Sequence, residues 1–99
     1  MGMGYKIKYL PRMVKDIHEV GVALEDYPAK AKRLLKEMDE KLQILKEMPF
    51  MWPVFKPRPK YRKMVLEEHL LFYTVDEDRH EVKVHRILYE KKDATRHLK

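Results

Sequence analysis

Cysteine and serine do not occur in this chain, and glycine appears only at Gly2, Gly4 and Gly21. Without cysteine there is no disulfide and no thiolate-bound zinc or iron–sulfur cluster, and nothing points to an oxidising compartment. Without serine there is no serine nucleophile, and scattered glycines cannot build a phosphate-cradling loop. Long apolar runs are missing too: none approaches the roughly 20 residues that cross a bilayer, and the N-terminus lacks the basic-then-apolar layout of a signal peptide. The five histidines have no carboxylate or histidine partner at ligand spacing, so neither a metal site nor a cofactor is expected. These absences describe a cytoplasmic protein without a membrane partner.

What the chain has in quantity is charge, unevenly placed. Its 99 residues suit one domain, here 1–99, with residues 1–3 expected to be a tag remnant or disordered. The net charge is +6. Glu25 to Glu47 is neutral overall, with six basic and six acidic residues. Phe50 to Lys63, by contrast, carries Lys56, Arg58, Lys60, Arg62 and Lys63 with no acid, and Lys83 to Lys99 adds six cations against two acids. The positive field therefore belongs to the second half, where it suits nucleic acid, an acidic protein segment or an anionic membrane, and the count alone does not choose among them.

Patterning supplies the fold class. "YKIKYL", Tyr5 to Leu10, alternates apolar and basic residues as a short strand does. Pro11 opens a helix in which Val14, Ile17, Val20 and Leu24 recur at helical spacing, and Pro28 predicts a break near Glu25 to Tyr27. From Ala29 a stripe of Ala31, Leu34, Leu35, Met38, Leu42, Leu45 and Met48 marks a second helix that stops before Pro49, with the stripe expected in the core. Four prolines between Pro49 and Pro59 forbid a continuous ladder, so that stretch reads as an edge strand or extended loop. Three strands follow, Tyr61 to Leu66, His69 to Val75 and Glu81 to Tyr89. In the last, Val82, Val84 and Leu88 are expected on one face, with Arg86 beside them, and Ile87 on the other. The fold class is α+β: a strand, an antiparallel two-helix hairpin, then a three- to four-stranded, mainly antiparallel sheet with a basic outer face.

These elements carry a family likeness. The pieces "YKIKYLPRMVKDI", "YPAKAKRLLKEMDEKLQILKEMP", "YRKMVLEEHLLFYTVDED" and "VKVHRILYEKKD" follow one another as in RelE/ParE-superfamily toxins of type II toxin–antitoxin systems. The chain resembles the ParE, or plasmid stabilisation, branch most. That resemblance implies a protein that arrests growth until a cognate antitoxin covers it in a hetero-oligomer. Its target would be DNA gyrase, as for ParE-like members, or ribosome-bound messenger RNA, which RelE-like members cleave. Leu70 stands where the nuclease branch generally carries an arginine, Arg62 matches the ParE branch, and Lys91 falls near the C-terminal nuclease arginine. ParE-like gyrase inhibition is the leading expectation.

Site residues follow for each alternative. A metal-free endoribonuclease would need cations to hold a phosphorane-like transition state and titratable groups to move protons, roles open to Arg62, Lys63, Arg86, Tyr89 and Lys91. Target or nucleic-acid contacts fall to Lys56, Arg58, Lys60, Arg62, Lys83, His85, Lys91 and Lys92. Trp52, Phe55 and Tyr61, interleaved with cations, could stack bases or anchor an antitoxin. Arg86 also has a structural reading, as a partly buried arginine paired with an acid. A third possibility is a non-toxic basic nucleic-acid-binding module.

Overall fold

In the computed structural model, which describes residues 4–98, a helical hairpin lies on one face of a four-stranded sheet. Strand β1 is Lys6–Tyr9, helix α1 Pro11–Ala23 and helix α2 Pro28–Glu47, followed by β2 (Arg62–Leu66), β3 (His69–Asp76) and β4 (Glu81–Tyr89). A short 3-10 turn, Ala94–Arg96, ends the chain. Both helices begin on the proline that the sequence marked, where the missing N–H had no partner to lose. Among the described residues no helix is long and apolar enough to cross a membrane.

The sheet order is β1-β4-β3-β2. β1 runs parallel to β4, with Lys6 opposite Glu81 and Tyr9 opposite Val84, while β2–β3 and β3–β4 are antiparallel. The last strand is thus interior. Met13, Leu34, Leu42, Leu45, Met64, Leu71, Tyr73, Val82, Val84 and Ile87 form the main core beneath the hairpin. The expected α2 stripe is only partly buried: Leu34, Leu42 and Leu45 are inside, whereas Leu35 is 50% exposed and Met48 55%. On α1 the buried face runs through Met13 and Asp16, and Val14 points outward.

Two departures shape the functional face. Phe72 pairs with Arg86 but Tyr73 with Val84, so His85 is an extra residue in β4. This bulge reverses the side-chain alternation, because one inserted residue exchanges the faces of everything beyond it. Ile87 therefore joins Val82 and Val84 under the hairpin and Leu88 lies opposite, the reverse of the alternating expectation. The outer sheet face is also not simply basic. Tyr61, Phe72, Leu88, Ala94 and Leu98 build a second apolar cluster there, with Phe55 and Leu70 packed against it. The proline-rich loop and the C-terminal turn cover that cluster.

The free edge of β2 is closed by the loop backbone and by side chains of α2. Lys63 N–H donates to the Pro53 carbonyl (3.0 Å), the Lys41 ammonium donates to the Val65 carbonyl (2.7 Å), and Glu67 N–H donates to Glu37 Oε1 (2.8 Å). Lys41 and Glu37 are themselves paired at 2.8 Å, so one helical turn of α2 stands in for a neighbouring strand and blunts the edge against pairing with other chains.

Candidate functional site

β1 stops short of the end of β4, and that shortfall organises the site. Beyond Val84, whose carbonyl accepts from Leu10 N–H at 3.1 Å, β4 has no strand on that side. Asp16 of α1 fills the gap. Its Oδ2 accepts from Ile87 N–H (3.1 Å) and from Arg86 Nε (2.7 Å), and its Oδ1 accepts from Arg86 Nη2 (3.0 Å). Arg86 Nη1 donates to the His97 carbonyl at 3.0 Å. One guanidinium therefore ties α1, β4 and the C-terminal turn together in a fork geometry that lysine could not reproduce. Arg86 is a buried linchpin, paired with an acid as its structural reading expects.

The other candidate cations fall into two groups. Arg62 Nη1 donates to the carbonyls of Trp52 (2.7 Å) and Phe50 (3.3 Å), and its guanidinium lies 5.0 Å from the centre of the Phe50 ring. Arg58 donates to the carbonyls of Pro57 (2.9 Å) and Thr95 (3.2 Å), pinning loop to tail. Lys63 sits 5.7 Å over the Phe55 ring, Lys60 5.1 Å over Tyr61, and Lys83 lies 3.8 Å from Asp76. Lys56, Lys91 and Lys92 remain exposed, as does Tyr89, whose ring meets that of His69 at 5.9 Å.

The three aromatics named as antitoxin anchors are packed to different degrees. Tyr61 is 4% exposed and belongs to the second cluster, Phe55 packs edge-on against Phe72 at 5.0 Å, and Trp52 packs on the main core. Their faces are spent on packing and on overlying cations, so they form no open stacking ladder.

Of the five residues named for a nuclease, Arg62 and Tyr89 lie far apart on the sheet. Arg62 is opposite Tyr73, whereas Tyr89 is opposite His69, four residues along β3 and on its other side. At about 3.3 Å per residue and 4.8 Å per strand, their backbones are roughly 16 Å apart. Groups acting on one phosphodiester must lie within hydrogen-bond reach of it. Leu70, at the position of the nuclease arginine, is packed into the second cluster.

His85, the bulge residue, is half-buried; its Nε2 lies 2.9 Å from Thr74 Oγ1 and its ring meets Tyr61 edge-on at 5.1 Å. Burial, and then the charges of Lys60 and Lys83, push its pKa below the ordinary 6.5. The sign follows directly. Above 6.5 both folded and unfolded forms are neutral; as pH falls through 6.5 the unfolded chain takes up a proton that the folded chain resists, so stability drops down to the lowered folded value. Urea midpoints measured against pH should fall on acidification in that window, and His85→Gln should flatten the fall. An unchanged slope in the variant would refute the assignment.

Sequence reasoning missed Asp16, Arg12 and His97. A signal for Asp16 was present, since it interrupts the apolar face of α1 between Met13 and Val20, where a carboxylate persists only if paired. His97 carries no such mark, because the contact is made through its backbone carbonyl.

Similarity to known proteins agrees with this architecture. No curated protein sequence matches the chain. Among solved structures, the chromosomal ParDE system of P. aeruginosa aligns with a TM-score of 0.69 at 17% identity, covering 86% of this chain and 95% of that one. A variant of the E. coli toxin RelE in the free state aligns at 0.70 and 17%, covering 96% and 93%. The toxin–antitoxin complex RelBE2 from Mycobacterium tuberculosis aligns at 0.64 and 13%, covering 89% and 100%. At such identities the alignments establish a shared fold. The family itself comes from sequence: the model of the ParE toxin of the type II toxin–antitoxin system parDE matches residues 7–94, so this chain, with its hairpin, four-stranded sheet and basic second half, belongs to the ParE toxin family.

Proposed function

We propose that this type II toxin arrests growth by binding DNA gyrase, and that it does not itself cleave RNA. The observation that supports this reading is the dispersal of the nuclease candidates. Arg86 is locked to Asp16, Arg62 is held by two loop carbonyls and its backbone is roughly 16 Å from that of Tyr89, and Leu70 is packed where the nuclease branch carries an arginine. Cations so arranged hold the fold or present a positive surface; they do not surround one scissile phosphate. The free positive surface, Lys56, Lys60, Lys91 and Lys92, remains for the target.

The partner that silences the toxin is its cognate antitoxin, as structural relatives crystallised as toxin–antitoxin complexes suggest. Its docking surface includes the cation-rimmed sheet face and the hairpin side, where Tyr9 of β1 (48% exposed), Val14 of α1 (59%) and Leu35 of α2 (50%) leave apolar surface uncovered. Toxin and antitoxin meet in the cytoplasm.

Purified toxin added to a gyrase supercoiling assay should inhibit supercoiling, and equimolar antitoxin should restore it. In a translating extract, messenger RNA should stay intact. Codon-spaced cuts, or full supercoiling activity at excess toxin, would overturn the reading.

A further inference from the structure

We propose that the cleft between the start of α1, the bulge of β4 and the C-terminal turn is a binding site for a phosphate group. It is an open cleft of about 460 Å³ lined by Arg12, Tyr61, His85, Arg86 and His97, with Leu10 at its edge. That size lies within the range of roughly 300–1,000 Å³ that small-molecule sites occupy.

The charge balance of the cleft favours an anion. Two permanent cations, Arg12 and Arg86, share a single carboxylate, Asp16. Both Asp16 oxygens are already taken by Arg86, and one also by Ile87 N–H, so Arg12 reaches it only through a 3.5 Å contact. The Arg12 side chain is 44% exposed, which leaves its remaining N–H donors to solvent. One positive charge is therefore uncompensated, beside two imidazoles that can donate, and among the described residues no acid lines the cleft itself. The first turn of α1 likewise has no acidic residue and no side-chain cap, so the positive end of the helix adds to the field.

The donor set suits a tetrahedral oxyanion. A guanidinium offers paired donors matched to two phosphate oxygens, and imidazole donors can serve the others. The pKa of His85, now lowered partly by Lys60 and Lys83, should rise once an anion sits beside it. The phosphate could belong to a free nucleotide or to a nucleic-acid backbone.

The test uses the whole toxin at low salt, with imidazole and amide resonances followed by NMR as inorganic phosphate, AMP, adenosine or a single-stranded pentanucleotide is added. Phosphate and AMP should shift His85, His97 and the first turn of α1 saturably and raise the His85 titration midpoint; adenosine should not. Arg12→Ala should weaken binding about tenfold, the worth of one lost charge-assisted hydrogen bond. The paired change Lys91→Ala with Lys92→Ala, outside the cleft, should leave it unaltered. AMP binding as well as the pentanucleotide would identify a free nucleotide as the source, and markedly tighter pentanucleotide binding a nucleic-acid backbone. If Arg12→Ala and the paired lysine change weaken binding equally, or if the shifts fall outside the cleft, the attraction is diffuse and the proposal fails. Should Arg12→Ala lower the melting temperature, His85→Gln provides the same comparison without touching Asp16.

Discussion

Replacing Asp16 with alanine should lower the melting temperature by about 15–30 °C, the largest effect expected of any single polar substitution in this chain. Asp16 is 2% exposed, and its carboxylate holds the Arg86 guanidinium and the Ile87 N–H at once. Its loss leaves a cation whose side chain is only 10% exposed without a counter-charge, together with a strand N–H that has no neighbouring strand to receive it. Removing one partner of a buried pair costs about 3–5 kcal/mol, against a total of about 5–15 kcal/mol for a domain. For a chain of this size each kcal/mol moves the midpoint by about 4–8 °C. Thermal unfolding followed by circular dichroism measures it directly. The double change Asp16→Leu with Arg86→Met should recover much of the loss, since two apolar groups leave no stranded charge, although Ile87 N–H stays unpaired. A shift below about 5 °C for Asp16→Ala would mean that water or the tail takes over the role, and that the link between α1 and β4 is dispensable.

The same residue shows where reading the sequence stops. Four strands and two helices were legible because their signals are local: alternation over Tyr5 to Leu10 and Glu81 to Tyr89, the α2 stripe, and a proline close to each helix start. Arg86 read from sequence as an arginine wanting an acid, yet its partner lies 70 residues earlier, and no spacing rule connects them. The bulge at His85 was not legible either, since nothing in "VKVHRILY" distinguishes an inserted residue from a regular one until β3 sets the register. With parity reversed there, Leu88 moved to the outer face and helped make it apolar at its centre. The basic face inferred from alternation thus became an apolar cluster rimmed by cations. The packing of Trp52, Phe55 and Tyr61 was hidden for a related reason. An aromatic among lysines looks like a contact surface in sequence, whereas in the fold the lysines lie over rings that also pack inward, Tyr61 buried and Phe55 half-buried.

That division of labour bears on function. Arg58, Arg62 and Arg86 are spent on backbone carbonyls and a buried acid, holding the loop and the tail in place. Lysines, whose compact and strongly hydrated charge suits exposed positions, supply the free surface at Lys56, Lys60, Lys91 and Lys92. In the proposed function the arginines hold the loop and tail that present the lysines. Both loop and tail rest on the second cluster, so the working face depends on packing that no charge count reveals.

Phe72→Ala tests that dependence and should be nearly as costly as losing Asp16. Phe72 is fully buried between Tyr61, Leu88, Ala94 and Leu98, with Phe55 edge-on at 5.0 Å. Truncating a buried phenylalanine costs about 3–5 kcal/mol in transfer and cavity terms, again about 15–30 °C in the midpoint. Its signature should differ from that of Leu45→Ala, which opens a cavity in the main core under the hairpin at about 2–5 kcal/mol. In Phe72→Ala, amide exchange should quicken first at Phe55, Tyr61 and Leu98, whose N–H groups bond within the loop and tail, and last in α2. In Leu45→Ala the order should reverse. Growth arrest should also be lost in Phe72→Ala at temperatures where the hairpin and sheet remain folded, because the loop that carries Lys56 and Lys60 has lost its seat. A uniform rise in exchange across hairpin, loop and tail would show instead that the two clusters melt as one unit, and that the working face is no more fragile than the scaffold beneath it.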